Sequence, residues 1–323
     1  ITFKTGDCIK IKDIEVIPVH VDHSTSGAYG FIIKTPEGNI AYTGDYRFHG
    51  FRPDMTEDFM KKAAETGIKL LMTEGTRLKG EDVAINQKRK LTEPQVEEEL
   101  YNSLMASKGI TVITFSPRNI DRARSLYNAA VKAGKVLVTS PRMAYIIDKS
   151  QPLISGMPQI QGNRNIVIFK KDGDKEPVYN RDGSERSDKT YAYEKPYLAD
   201  QKDSKWVRSN MADVVFFIQE HEIAQLIDIK PKSGKFIFST AEHYLEGPGF
   251  EKKKACLMDW IGHFNLEFEH IHCSGHADAA GIKKMMDGVG AEMVMPIHTQ
   301  TPEGFKSLHK KVILPEREKT VNI

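Results

Sequence analysis

The chain has 323 residues, of which 40% are hydrophobic and 28% are charged, as in an ordinary globular protein with room for one large domain or two smaller ones. Its 46 basic and 44 acidic side chains leave a formal net charge of +2, so charge neither demands nor excludes a nucleic-acid partner. No stretch approaches the roughly 20 apolar residues that span a bilayer, and the alternating segment from Ile1 to Lys12 is unlike a signal peptide.

The first part of the chain alternates apolar and polar side chains, which is typical of β-strands. The turn residues of Thr35-Pro36-Glu37-Gly38-Asn39 indicate a hairpin loop between two of these strands. In chain order, the pattern predicts strands over residues 9–19, 30–33 and 40–42, a helix over 54–66, and a short buried strand over 69–72.

The middle of the chain changes to a strand–helix–strand rhythm. The capping-box pattern at Thr92-Glu93-Pro94-Gln95 predicts a helix that runs to about Ser107. A strand over 110–115, a helix over 119–133 and a strand over 136–139 follow, and this rhythm indicates a parallel α/β sheet. The pattern loosens between 150 and 210. It then predicts strands over 214–218, 236–238, 268–272 and 293–297, with helices over 256–264 and 279–286.

Four short segments place metal-binding residue types at predicted strand ends or turns. They are Val-Asp-His ending at His23, Thr-Gly-Asp ending at Asp45, Ser-Gly-His ending at His276, and Pro-Ile-His ending at His298. Metal sites need imidazoles and carboxylates that converge from such positions. A single histidine after a strand is more often structural, but four such segments in this order predict a metal site.

This series resembles the later signature motifs of metallo-β-lactamase-fold nucleases in the β-CASP branch, in the style of ribonuclease J. His23 and Asp45 match the third and fourth motifs of that superfamily. Glu74 in Thr-Glu-Gly-Thr resembles the acidic β-CASP motif A, His276 resembles motif B and His298 resembles motif C. The stretch from Gly-Ala-Tyr-Gly-Phe to Gly-Asp-Tyr is the most specific part of the resemblance.

The resemblance implies a metallo-β-lactamase αββα sandwich interrupted by an inserted β-CASP α/β domain. We expect the sandwich to contribute residues 1–88 and 245–323, and the inserted domain to occupy 89–244. The helix start at Thr92 and the turn Gly247-Pro248-Gly249 mark the two junctions.

One motif of the family is absent from these 323 residues. The family's His-x-His-x-Asp-His motif supplies most of the ligands for two metal ions. The segment from Pro18 to His23 is only superficially similar to it, because the short spacing between His23 and Asp45 suits the third and fourth motifs instead. We therefore expect the missing motif, and the first part of the sandwich, to lie upstream of Ile1. The residues present cannot complete a two-metal site by themselves.

The resemblance also implies the roles of the candidate residues. Two zinc ions, with manganese as an alternative, would be held by His23, by Asp45 as a bridging ligand, and by His298. His276 would lie beside the scissile phosphate, and Glu74 would hydrogen-bond His276 and fix its tautomer. Further candidates for phosphate contacts are Ser274, Gly275 and Arg118.

Other polar residues have weaker support in the sequence. Arg122 and Arg124 flank the start of the same predicted helix as Arg118 and could contact a nucleic-acid backbone, although a solvated helix face is the simpler interpretation. Glu74 could also be a solvent-facing carboxylate. His49 has no supporting pattern and is interpreted as a surface or structural residue.

These expectations favour a hydrolase that processes or degrades single-stranded nucleic acid, with RNA as the first choice. Three cysteines at unrelated spacings favour a reducing cytoplasm over a disulfide framework. No membrane association is expected, and a homodimer is left open. Two alternatives also stay open: a metallo-hydrolase of the same fold that acts on a small phosphodiester or ester, and a non-catalytic RNA-binding scaffold.

Overall fold

The structure is a computed structural model that describes residues 2–78, 91–171, 191–246 and 249–321. The chain forms two compact units. Unit 1 comprises Ile1–Thr92 and Ser274–Ile323, and unit 2 comprises Glu93–Cys273. Each unit contains a six-stranded sheet with helices, which confirms the α/β class predicted from the sequence.

The described residues form strands, α-helices and shorter 3-10 turns. The strands are β1 (Ile9–Ile11), β2 (Ile14–His20), β3 (Tyr29–Thr35), β4 (Gly38–Tyr42), β5 (Ile68–Glu74), β6 (Ile110–Thr114), β7 (Val136–Thr139), β8 (Ile166–Ile168), β9 (Val214–Phe217), β10 (Gly234–Phe238), β11 (Leu266–His270) and β12 (Met293–Ile297). The α-helices are α1 (Pro53–Thr66), α2 (Glu93–Ala106), α3 (Ile120–Lys132), α4 (Pro141–Ser150), α5 (Ser204–Ser209), α6 (Leu226–Ile229), α7 (His243–Glu246), α8 (Glu251–His263) and α9 (Ala279–Val289). The 3-10 turns are Lys195–Tyr197, Met211–Asp213, Glu220–Gln225 and Pro302–Ser307.

The sheet of unit 1 has the order β1-β2-β3-β4-β5-β12. Strands β1 to β4 pair antiparallel, whereas β4–β5 and β5–β12 pair parallel. Phe59 of α1 and Met285 of α9 pack against Ile32 and Leu71 in one buried core. Because β3 runs antiparallel between β2 and β4, the strands β2, β4, β5 and β12 all point the same way. Their carboxyl ends therefore share one edge of the sheet.

The sheet of unit 2 has the order β11-β10-β6-β9-β7-β8, and all of its pairs are parallel. The parallel sheet expected from the strand–helix rhythm is confirmed. Its central strands are apolar runs that bury side chains on both faces, including Phe216, Phe236 and Phe238, as parallel sheets covered by helices require. No helix among the described residues is long and apolar enough to cross a membrane. The three cysteines lie in described parts of the chain, and none forms a disulfide.

The unit boundaries differ from those expected from the sequence. The returning segment of unit 1 begins at Ser274 instead of residue 245, because β11 pairs parallel with β10 of unit 2. The expected junction at 88/89 lies outside the described residues, as do Gly247 and Pro248. Helix α4 was not predicted, although it begins with a Ser140 cap that accepts from Met143 N and a proline in its first turn, which is a recognisable start signal.

Arg122 is buried in unit 2 and does not face a phosphate, so that interpretation is wrong. It is fully buried, as is Glu93. The Arg122 Nε donates to Glu93 Oε1 at 2.8 Å, Nη2 donates to Glu93 Oε2 at 3.2 Å, and Nη1 donates to the Ser239 carbonyl at 3.0 Å. Arg124 donates to the Ser155 carbonyl at 2.7 Å. Both arginines therefore have structural contacts within unit 2.

We expect Arg122→Met to lower the free energy of unfolding by about 3–5 kcal/mol, because it leaves the Glu93 carboxylate buried without its partner. The measurement is chemical denaturation in the full-length protein. The matched control is Lys132→Met, which breaks an ion pair with Glu98 in which both side chains are more than half exposed and should cost under about 1 kcal/mol. Equal effects of the two substitutions would contradict the structural role of Arg122.

Candidate active site

Four of the candidate residues lie at the shared carboxyl edge of the unit 1 sheet. His23 and Asp45 follow β2 and β4, Glu74 is the last residue of β5, and His298 directly follows β12. Strands that point the same way deliver their following residues to the same edge, so residues far apart in sequence meet here. His276 reaches this group from the loop that precedes α9, and the Ala277 N–H donates to the Tyr46 carbonyl at 2.6 Å.

The local backbone explains two of the short motifs. Gly44 has φ +59°, and a Cβ at this position would lie 2.6 Å from the Tyr29 carbonyl oxygen, so only glycine fits before Asp45. His298 also has a left-handed backbone, with φ +46°. That conformation is uncommon for residues other than glycine and is frequent at functional sites.

Asp45 and His298 are in direct contact. The His298 Nδ1 lies 2.8 Å from Asp45 Oδ1. The Thr76 hydroxyl lies 3.4 Å from the same ring nitrogen and donates to the His298 carbonyl at 3.2 Å. Two ligands of one zinc ion lie about 3 Å apart, since each bond is near 2.1 Å. The Asp45–His298 separation therefore suits either a hydrogen bond or a shared ion.

Glu74 and His276 make the contact that the sequence predicts. Both Glu74 carboxylate oxygens lie 3.1 Å from His276 Nδ1. Glu74 is fully buried, so the solvent-facing interpretation is wrong, and it also accepts from the N–H groups of Tyr46 and Thr76 at 3.2 Å each. Because a carboxylate accepts, Nδ1 of His276 carries a proton and Nε2 is the ring atom left for another ligand.

The Glu74 contact changes the acid–base properties of His276. Burial opposes the charged imidazolium, but the hydrogen bond to Glu74 and the negative charges of Glu74 and Asp45 outweigh burial and raise the pKa of His276. The imidazolium therefore persists to higher pH than in an exposed histidine. This is the form that can donate a proton or stabilise negative charge.

His23 has the opposite environment. Burial, followed by repulsion from the nearby His276, lowers the pKa of His23 to about 4, so its imidazole is neutral near pH 7. Its Nδ1 accepts from the Thr25 N–H at 3.1 Å. Its Nε2 is buried and has no hydrogen-bond partner, and such an orphaned atom calls for a ligand. The ring centroids of His23 and His276 are 5.1 Å apart.

Asp45, Glu74, His276 and His298 form a group that could hold a metal ion. Each offers one ligand atom, and these atoms all lie within 4.8 Å of one another. The sequence placed His276 and Glu74 beside the metal ligands, whereas the structure places them within the same group. Neutral imidazoles with carboxylates suit zinc and manganese, and the buried Nε2 of His23 adds a donor of the same kind. The residues present therefore fit a divalent metal.

The three phosphate candidates lie in two different places. The Ser274 Oγ accepts from the His276 N–H at 3.1 Å, which leaves its hydroxyl hydrogen able to donate. Gly275 packs so tightly that an added Cβ would lie 2.3 Å from Ser24 Oγ and 3.1 Å from His23 Nε2. Arg118 belongs to unit 2, where it is exposed in the loop before α3.

Two residues beneath the group were missed as functional candidates. The Arg47 guanidinium, which is buried, and the half-buried His49 both contact the Ser274 carbonyl. The signal was present in the Asp-Tyr-Arg-Phe-His segment, where alternate residues after Asp45 are polar and end in a glycine at position 50. A period of two in a loop is easily dismissed without the fold.

Comparison with known proteins gives relatives of one name. No family model matches the chain. Ribonuclease J of Sinorhizobium meliloti is 29% identical over 312 residues, which cover 92% of this chain and 48% of that protein. Ribonuclease J of Mycoplasma pneumoniae is 24% identical over 283 residues, which cover 86% of this chain and 44% of that protein. The chain thus spans about half the length of these two relatives.

A solved structure shares the fold. A protein of unknown function from Enterococcus faecalis V583 superposes with a TM-score of 0.74 at 21% identity, over 100% of this chain and 67% of that one. Fold and site together define an α/β chain with a candidate metal centre at the carboxyl edge of one sheet. Its homologues are ribonucleases J, and this homology implies the metallo-β-lactamase fold with a β-CASP domain.

We expect Gly275→Ala to weaken zinc or manganese binding by about tenfold, because the added methyl group must displace Ser24 and the His23 ring, and such neighbouring changes cost 10–100-fold in metal affinity. The measurement is titration calorimetry of the metal-free full-length protein. The control is Gly262→Ala in α8, where an added Cβ meets no atom within 4 Å. Unchanged metal affinity in Gly275→Ala would contradict the placement of His23 at the metal site.

Proposed function

We propose that this chain belongs to a metal-dependent hydrolase that cleaves phosphodiester bonds in single-stranded RNA. The observation that carries the proposal is the convergence of Asp45, Glu74, His276 and His298 beside the unsatisfied nitrogen of His23. The ribonuclease J relatives favour RNA as the substrate. The whole protein is proposed to process or degrade RNA in the cytoplasm.

In this proposal His23, Asp45 and His298 hold divalent ions, zinc first and manganese as an alternative. Asp45 is the bridging candidate because its carboxylate has two oxygens and lies within hydrogen-bond distance of His298. Further ligands would come from a His-x-His-x-Asp-His motif, which these 323 residues do not contain. Ions bound there supply Lewis acidity, which activates water and offsets the charge developing on the phosphate.

His276 and Glu74 handle the proton. Glu74 holds the Nδ1 proton of His276 and fixes the ring, so Nε2 is presented to the phosphate or to the leaving oxygen. The raised pKa of His276 keeps a proton available when the leaving oxygen needs one. The negative charge of Glu74 also stabilises the imidazolium while charge builds on the phosphate.

The phosphate itself would be held by donors from the same loop. The Ser274 hydroxyl can donate to a phosphate oxygen while it accepts from the His276 N–H, and the loop at Gly275 lies directly against His23. Arg118 is proposed to contact the nucleic-acid backbone from unit 2, as an exposed cation that reads charge and not sequence.

We expect Asp45→Ala to abolish metal-dependent cleavage of single-stranded RNA, because it removes a ligand from the metal group. The Asp45 side chain is 37% exposed, so its loss should leave the circular dichroism spectrum and the melting temperature unchanged. The control is Asp287→Ala on α9, whose carboxylate pairs only with the exposed Lys283 among the contacts seen. Wild-type turnover in Asp45→Ala would refute the metal mechanism, and binding of RNA without cleavage by the wild type would favour the scaffold alternative.

We expect His276→Ala to lower turnover by about 10²–10⁴-fold while metal affinity changes far less. Glu74→Gln should lower turnover to a smaller degree. It should also cost about 1–3 kcal/mol of stability, because its amide group cannot accept from Tyr46 N, Thr76 N and His276 Nδ1 together. Rates come from single-turnover cleavage and affinities from calorimetry. Parallel loss of metal and activity in His276→Ala would make His276 a metal ligand instead.

A further inference from the structure

We propose that Arg47 and His49 are positioning residues that hold the loop of His276 through a single atom, the carbonyl oxygen of Ser274. What this loop does chemically rests on the function proposed above. How the loop is held rests only on contacts within unit 1. The two parts can therefore be tested separately.

The Ser274 carbonyl accepts two hydrogen bonds from beneath the site. His49 Nε2 lies 2.8 Å from this oxygen, and Arg47 Nη1 donates to it at 3.3 Å. A carbonyl oxygen can only accept, so His49 carries its proton on Nε2. Burial lowers the pKa of His49 to about 4, which keeps the ring neutral and leaves this tautomer in place near pH 7.

Arg47 is itself fixed by buried partners. Its Nε donates to Asp22 Oδ1 at 3.3 Å, and its backbone N–H donates to the Asp22 carbonyl at 2.8 Å. The other Asp22 oxygen accepts from the Gly50 N–H at 3.0 Å. A Cβ on Gly50 would lie 2.2 Å from Asp22 Oδ2 and 2.5 Å from Arg47 Nε. This packing leaves the guanidinium no alternative position.

Each member of this layer borders a candidate site residue along the chain. Asp22 precedes His23, Arg47 follows Asp45 by two residues, and Ser274 precedes His276 by two residues. The layer thus joins the three loops that carry these site residues. Because a misplacement of about 1 Å can cost 10²-fold in rate, the carbonyl of Ser274 is a point where loop position and catalysis are coupled.

His49 is the better residue to substitute, because Arg47→Met would leave Asp22 buried without its partner and could unfold the protein. His49→Leu removes the donor to Ser274 and keeps an apolar side chain of similar volume. His49→Gln places an amide N–H near the position of Nε2 and should restore the bond. His263→Leu, at an exposed position in α8, is the matched control.

Two measurements in the full-length protein test the proposal. The first is hydrogen exchange of the metal-free protein by NMR at the His276 and Ala277 amides, which donate to Ser274 Oγ and the Tyr46 carbonyl. The second is single-turnover cleavage of single-stranded RNA. We expect His49→Leu to accelerate exchange at these amides by at least about tenfold and to lower kcat by about 10–100-fold, with KM little changed. His49→Gln should return both toward the wild type.

The outcomes separate this proposal from the proposed function. If the wild type cleaves no RNA, the proposed function fails, and the exchange rates alone decide the positioning role. Wild-type exchange at His276 and Ala277 in His49→Leu would overturn that role. Equal exchange rates in His49→Leu and His49→Gln would also overturn it, because the donated hydrogen bond would then not matter. Acceleration throughout unit 1, including core amides such as Leu71, would mean general destabilisation and would count against it too.

Discussion

The buried carboxylate of Glu74 is the interaction on which the candidate site depends. A carboxylate removed from water must be satisfied by donors, and Glu74 finds them in three separate segments, at Tyr46, Thr76 and His276. The need to satisfy this one group therefore draws together the end of β5, the loop after β4 and the loop before α9. The strand directions of the sheet bring His23 and His298 to the same edge.

The two histidines on either side of this group have opposite acid–base properties. His276 lies against Glu74 and holds a proton more strongly than an exposed imidazole, whereas burial keeps His23 neutral with one nitrogen unsatisfied. One histidine is therefore suited to proton transfer and the other to a metal ion. Their rings are only 5.1 Å apart, so contacts with neighbours, and not location, separate the two roles.

The sequence was sufficient for the α/β class, the parallel sheet and the Glu74–His276 contact, because strand periodicity and short motifs carry that information locally. It was not sufficient for the burial of Arg122, which reads as a helix-surface cation until Glu93 is placed beside it. The boundary at Ser274 was missed because strand pairing between β10 and β11 is a long-range choice. His49 was missed because its partner is a backbone carbonyl more than 200 residues away, and a backbone atom leaves no mark in the sequence.

The central claim is that His23, Asp45 and His298 hold divalent metal, and anomalous X-ray diffraction tests it most directly. Crystals of the full-length protein would be grown with manganese or zinc, and data collected on both sides of the metal absorption edge. We expect anomalous peaks within about 2–2.3 Å of side-chain atoms of these three residues, including Nε2 of His23. Bound metal that contacts none of them, or a site that stays empty at saturating metal, would contradict the claim.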